Sequence, residues 1–200
     1  MPNDGSPDPA RRSKRAHTAI LAATRELIMA VGYDAMTIEA IASAAGVGKQ
    51  TIYRWWPSKA AVVLDMWVPD VEQQLVFPDT GDVAADFTTQ IRAMMELSQD
   101  PLFGPSLRAL IAEAQHDQAL AQKLLDRIFA PRAEQGKERL RAAQQARQVR
   151  DDVDLDIAMD LLYGGFYRRF LLRIAPVTAD YPKAVVDAAL AGLMRRRTRR

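Results

Sequence analysis

The residues best suited to chemistry cluster near the amino end. Lys49, Gln50, Thr51, Tyr53 and Arg54 set hydrogen-bond donors close together with no acid among them. Such side chains suit DNA phosphates and base edges, Lys or Arg pairing with guanine and Gln with adenine. An apolar stripe precedes them. Ile38, Ile41, Ala42 and Ala45 stand at i, i+3, i+4 and i+7, one face of a short helix. Thr37 stands where an N-cap belongs, and Gly46 where a helix ends on a left-handed residue. Val47 and Ile52 resume the apolar pattern. The spacing predicts helix, tight turn, helix, with Ala42 small enough for the second helix to cross close above it. That second helix is expected from about Lys49 to Trp56, stopped by Pro57, with Ser58 capping the next helix from Lys59. An ordinary helical hairpin is the bland alternative. The acid-free donor row and a basic segment upstream argue against it.

Other chemistries find little support. His17 and His116 lie far apart in the chain. There is no Gly-rich phosphate loop, no Ser/His/Asp arrangement and no HExxH. Asp152 and Asp156 form an acid pair that suits a metal, but a helix start explains them more simply. Cysteine is absent, which excludes a disulfide framework and thiolate metal ligation. No enzymatic activity, catalytic residue, metal or cofactor is expected. No stretch reaches the ~20 apolar residues of a membrane span, and no secretory signal precedes the basic segment. A cytoplasmic protein without membrane association is the expectation.

The elements that must position the donor row come next. Arg11, Arg12, Lys14, Arg15 and His17 lead into a helix with the stripe Ile20, Thr24, Leu27, Ile28 and Val31, ended by Gly32. A basic extension ahead of a three-helix unit can run along a phosphate backbone. Residues 1–10 carry no apolar run and are expected to be disordered. Residues 10–60 hold eight Lys+Arg against three acids, net +5, whereas residues 61–194 are net −6. A basic head binds DNA through counterion release, and an acidic body is repelled by the same backbone. The tail at 195–200 adds five Arg.

The remainder reads as helices. Ala60 to Gln74 is interrupted by Pro69. The Pro78–Gly81 cluster is a loop. Asp82 to Ser98 sets Val83, Phe87, Ile91, Met94, Met95 and Leu97 on one broad face. Asp100-Pro101 suggests an N-cap and first turn for the helix of Leu107, Leu110, Ile111 and Ala114. His116-Asp117 is a break, and Pro131 kinks or restarts the helix after Phe129. Asp151 to Ile174 forms the clearest body helix, acids at its start and Arg168, Arg169 and Arg173 at its end. Gly164-Gly165 in its middle costs roughly 1 kcal/mol per Gly relative to Ala, so close approach of another backbone is expected there. A last helix spans about Tyr181 to Met194.

Together the residues resemble a known family. Residues 11–60 are similar to the DNA-binding domain of the tetracycline-repressor (TetR) family. The likeness rests on Val31-Gly32-Tyr33, Met36-Thr37-Ile38, Ile41-Ala42, Ala45-Gly46-Val47, Thr51-Ile52-Tyr53, Trp56 and Ser58-Lys59-Ala60. Two positions depart from the pattern. Gln50 stands where a small residue is usual; it either reads a base edge or faces solvent. Trp55-Trp56 stand where His-Phe is common; Trp55 either replaces the His contact to phosphate through its indole N–H or packs. The resemblance implies phosphate contacts from Thr37, Thr51, Tyr53 and Lys59, base-edge contacts from Lys49, Gln50 and Arg54, and Trp56 as core locking the recognition helix against the first helix.

The run DDVDLDIAMDLLYGGFYRRFLL also resembles a C-terminal domain of many TetR-like regulators. It implies an all-α fold of about nine helices: a three-helix head at 11–58 and a helical effector-binding and dimerisation domain at 59–194. It implies a homodimer through the last two helices, with Leu161, Gly164, Gly165, Arg168, Val186, Leu190 and Leu193 at the interface. The implied function is a transcriptional regulator, chiefly a repressor. It would bind palindromic double-stranded DNA and be released by a small, largely apolar ligand. Candidate ligand residues are Trp67, Phe87, Met94, Met95, Phe103, Leu107, Leu110, Phe129, Tyr163, Phe166 and Tyr167, because Met and aromatic side chains adapt to apolar ligands. The alternative is a helical DNA-binding architectural or partner-binding protein with no small-molecule effector.

Overall fold

The computed structural model describes residues 9–193, with side chains from residue 13 onward. The Arg-rich tail and most of the expected disordered tail lie outside the described residues. Pro9 and Ala10 of the latter instead open α1 (Pro9–Ala35).

The described residues form α2 (Ile38–Ala45), α3 (Lys49–Tyr53), α4 (Lys59–Gln74), α5 (Val83–Gln99), α6 (Phe103–Ala114), α7 (Gln118–Leu124), a π-helical turn (Leu125–Phe129), α8 (Ala130–Gln145), α9 (Leu155–Leu172) and α10 (Tyr181–Leu193). Because α7, the π turn and α8 follow without a break, nine separate rods result, and the fold is all-α as expected. The π turn has a local cause. Pro131 has no N–H for the carbonyl four residues back, and a one-residue bulge absorbs the mismatch.

Caps fall largely where the sequence places them. Thr37 Oγ1 accepts from Ala40 N, and Gly46 closes α2 at φ 64°. Gly32 interrupts α1 at φ 78°. Asp82 caps α5, and Asp154 caps α9. Asp117 accepts from Ala119 N and Leu120 N at the start of α7.

Other boundaries differ. α3 stops at Tyr53 rather than Trp56, since Trp55 N and Trp56 N both turn back to the Ile52 carbonyl. Pro69 does not interrupt α4, where Ala60 through Leu64 and Met66 through Val68 are all buried and packing holds the helix. Asp100 closes α5 instead of opening α6, which begins at Phe103. Asp151 and Asp152 precede α9; Arg150 pairs with Asp152. Val31, expected inward, is 51% exposed.

The chain forms two compact units that do not divide at residue 58. One comprises the described residues up to Asp70 together with Pro101–Gln122. In it Ile20, Thr24, Ile28, Ile41 and Ile52 are buried. Arg25 donates to Asp70 Oδ2 at 2.6 Å and stacks over Trp67 at 4.7 Å. The Tyr33 hydroxyl donates to Glu113 of α6 at 2.5 Å. Burial, then this bond to Glu113, push the Tyr33 phenol far above its ordinary range.

The other unit comprises Val71–Asp100 and the described residues from Lys123. There α10 packs against α5 and α9, and α8 packs against α5 and α9. Phe87, Ile91, Leu140, Leu162, Phe166 and Val186 are at most 1% exposed. Asp86 and Arg139 sit among them as a buried ion pair at 2.5 Å.

Candidate nucleic-acid interface

Ile52 anchors α3 with no exposed surface, which turns the neighbouring side chains outward. Lys49, Gln50, Tyr53 and Arg54 are exposed, Tyr53 by 49%, and Thr51 is half-buried. Thr37 is exposed at the start of α2. Lys49, Gln50, Thr51, Tyr53 and Arg54 therefore share one short helix and its C-cap, and Thr37 stands apart at the start of α2.

Two of them are held at rest. Lys49 Nζ donates to Glu39 Oε1 of α2 at 3.0 Å. The bond raises the ammonium pKa and lowers that of the carboxyl. Arg54 lies over the Trp55 ring at 4.9 Å. Trp55 packs edge-on against His17 and Trp56, at 5.6 and 5.5 Å between ring centres. Trp56 is core as expected, meeting His17 in a tilted ring contact at 4.8 Å and donating its indole N–H to Asp65 Oδ2 at 3.1 Å. This Trp pair ties the turn after α3 to α1 and α4. His17, placed by sequence in a basic arm, instead completes that aromatic cluster.

Lys59 departs most from its expected role. Its ammonium donates to the carbonyls of Tyr33, Asp34 and Met36 at 3.0, 3.3 and 3.2 Å, and sits over the Tyr33 ring at 4.5 Å. An ammonium has three N–H groups. All three are engaged in capping the end of α1, so none is left for a phosphate in this arrangement.

The predicted ligand residues fall into two groups. Trp67, Phe103, Leu107 and Leu110 are buried in the first unit, where Trp67 and Phe103 meet at 5.0 Å. Phe87, Met94, Met95, Phe129, Tyr163, Phe166 and Tyr167 lie in the second. Phe87 meets Tyr163 at 6.3 Å, and Phe129 and Phe166 meet Tyr167 at 6.1 and 5.3 Å. Burial pushes the Tyr167 phenol up to about 12 and that of Tyr163 higher still. A polar surface pocket by Gln144, Gln145, Arg147, Val149 and Asp151 involves none of these residues.

The predicted interface also divides. Leu161 is 51% exposed, and Gly164 and Arg168 are exposed beside it. Ile157 and Leu172 extend that exposed face of α9, at 56% and 66%. Val186, Leu190 and Leu193 do not belong to such a face. They are 0%, 3% and 4% exposed, turned into the chain's own core where α10 meets α5 and α9. The backbone approach expected at Gly164-Gly165 is not found: a Cβ at Gly165 would lie 2.6 Å from the Tyr181 side-chain hydroxyl, and one at Gly164 would meet open space.

Sequence reasoning missed the polar members of the core. Asp86 and Gln90 share the phase of Val83, Phe87 and Ile91 on α5, a visible signal that two polar groups point inward. Asp86 accepts from Thr80 N and Oγ1 and from Arg139. Burial alone would raise its carboxyl, but these hydrogen bonds outweigh it and hold the pKa below the ordinary value.

Comparison with known proteins places this geometry. Residues 20–66 match the family model described as bacterial regulatory proteins, tetR family, and residues 77–189 match a tetracyclin repressor-like C-terminal domain. An uncharacterised HTH-type transcriptional regulator of Bacillus subtilis, YdeS, is 34% identical over 91% of each chain. One of Mycobacterium tuberculosis is 30% identical over 98% of this chain and 95% of its own. The crystal structure of a TetR family transcription regulator, SCO0332, superposes with a TM-score of 0.76 at 38% identity, covering 90% of this chain and all of that one.

Proposed function

This chain belongs to the TetR family of DNA-binding transcriptional regulators, and on that premise we propose that it is a repressor. It binds a two-fold symmetric operator as a homodimer and leaves it when a small molecule enters the helical body. The observation that carries the reading is the outward row Lys49, Gln50, Tyr53 and Arg54 on a helix anchored by fully buried Ile52. Two such helices roughly 34–36 Å apart would enter successive major grooves. The exposed apolar face of α9 supports self-association, since exposed Ile157, Leu161 and Leu172 flank small Gly164.

The family resemblance and the outward placement of these side chains support the following roles. Gln50 and Arg54 read base edges. Thr37, Thr51 and Tyr53 fix register on phosphates. Lys49 joins them when its pair with Glu39 opens. The test is an operator selected from random duplexes, followed by anisotropy titrations over a salt series. Gln50→Ala should relax preference at one base pair by ~1–3 kcal/mol and leave the salt slope unchanged. Arg54→Ala should weaken binding without unfolding the protein. Full affinity and full sequence preference in both variants would refute the docking.

A further inference from the structure

Around the end of α4, the second unit carries a polar cluster, buried at Asp86, Gln90 and Arg139 and half-buried at Arg132 and Gln135, that the family assignment does not explain. Arg132 donates to the carbonyls of Val71 and Leu75 at 3.4 and 3.1 Å. Gln90 of α5 donates to the same Leu75 carbonyl at 3.3 Å. Arg132, Gln135 and Arg139 stand at i, i+3 and i+7, on one face of α8. Arg139 joins Asp86, one turn before Gln90 on α5. These groups therefore converge on one region.

Four sealed atoms of this cluster lack a hydrogen-bond partner: Arg132 Nε, Arg139 Nη2, Gln90 Oε1 and Gln135 Oε1. Buried polar groups are normally satisfied, so four together are unusual. The carboxylates are unevenly placed. Arg139 meets two, Asp86 and Asp79, whereas the partners of Arg132 among the described residues are carbonyls alone. An apolar wall adjoins. A Cβ on Gly136 would lie 3.7 Å from Phe77 and 2.6 Å from Met159 Cε; Phe77 meets Phe87 at 4.9 Å, and Phe87 meets Tyr163.

We infer that this cluster is the polar end of the effector site, and that the effector is a small hydroxylated carboxylate with an apolar body. The inference rests on the effector reading above and gives it a chemical class. The carboxylate accepts from Arg132, whose partners among the described residues are carbonyls rather than carboxylates. The hydroxyl donates to a glutamine oxygen, and the body lies against the aromatic wall. Occupancy has a direct consequence. A carboxylate competes with the Val71 and Leu75 carbonyls for the guanidinium and so loosens the end of α4, the helix that starts at Lys59.

The test uses the full-length protein with 15N-labelled arginine, and 4-hydroxybenzoate, its amide and benzoate as probes at fixed ionic strength. The Arg132 Nε–H resonance is identified by its loss in Arg132→Lys. We expect 4-hydroxybenzoate to shift that resonance and to bind at least tenfold tighter than 4-hydroxybenzamide, with benzoate between them. Arg132→Gln should erase the preference for the acid, and Lys137→Gln on the same helix should keep it. If Arg132→Gln does not fold, the resonance of the unsubstituted protein decides. An Arg132 signal unmoved by millimolar 4-hydroxybenzoate, or moved equally by the amide, overturns the inference and leaves Arg132 as a structural clamp on α4. Duplex affinity measured in parallel separates the two readings. Occupancy at Arg132 without DNA release counts against the effector reading alone. DNA release by a neutral compound that leaves Arg132 untouched counts against the carboxylate site alone.

Discussion

Replacing Lys59 by Met removes an ammonium and keeps an apolar stem of similar length. The structure engages that ammonium with three carbonyls at 3.0 to 3.3 Å and with the Tyr33 ring at 4.5 Å. A hydrogen bond to a charged group contributes roughly 1.5–3 kcal/mol. The three are not additive, and water replaces the partner of exposed Asp34 once Lys59 is gone. The ring contact adds ~0.5–1 kcal/mol. A total loss of about 2–4 kcal/mol follows, concentrated where α1 hands over to α2. At ~2–4 °C per kcal/mol for a chain of this size, the melting temperature should fall by roughly 5–15 °C. Calorimetry measures the loss, and a salt series of duplex titrations tests the alternative. A lysine bound to a phosphate contributes about 0.9 to the slope of log K against log salt. The slope should therefore stay unchanged in Lys59→Met, while the affinity drops uniformly through the unsettled head. An unaltered melting temperature with a slope smaller by about one phosphate would refute the capping role.

Further outcomes are expected. Glu39→Gln should free Lys49, tighten duplex binding severalfold at low salt and steepen the salt slope, as read by anisotropy. Arg139→Met should cost about 3–5 kcal/mol in urea unfolding, because it leaves Asp86 buried without its cation. Because the folded pKa of Asp86 is depressed, its contribution is full above the unfolded value of ~3.9 and is lost as pH falls through the lower folded one. Acid unfolding should therefore be shallower in Asp86→Asn than in the parent, and an identical acid limb would count against the pair. Leu161→Asp should convert dimer to monomer in light scattering with little change in far-UV signal. Leu190→Ala should instead unfold the protein more easily by ~2–5 kcal/mol, as a buried core position does.

The amino-terminal half of the architecture was legible because its signals are local. Thr37, Gly32, Gly46 and Ser58 sit at caps and turns whose backbone conformations they satisfy unaided. The Ile38/Ile41/Ala42 stripe needs only helical periodicity to be read, and Ile52 orients the donor row by the same rule. The body was legible as helices and less so as interfaces. An amphipathic pattern shows that one face is buried but not what covers it. Val186, Leu190 and Leu193, expected at a partner interface, thus fill the chain's own core instead.

Sequence alone determined the class of this protein: an all-α chain with a donor-bearing helix behind a glycine turn. It did so because capping, turn chemistry and helical phase act over a few residues. Only the tertiary structure decided where the long side chains went. It placed Lys59 on the end of α1, His17 between two tryptophans, and Arg132 and Arg139 beneath α4 and α5. Such partners lie tens of residues apart, and the reach of a flexible lysine or arginine lets one sequence position serve a phosphate, a carbonyl or a buried carboxylate. Which one it serves is settled by what the packed helices bring within 3 Å.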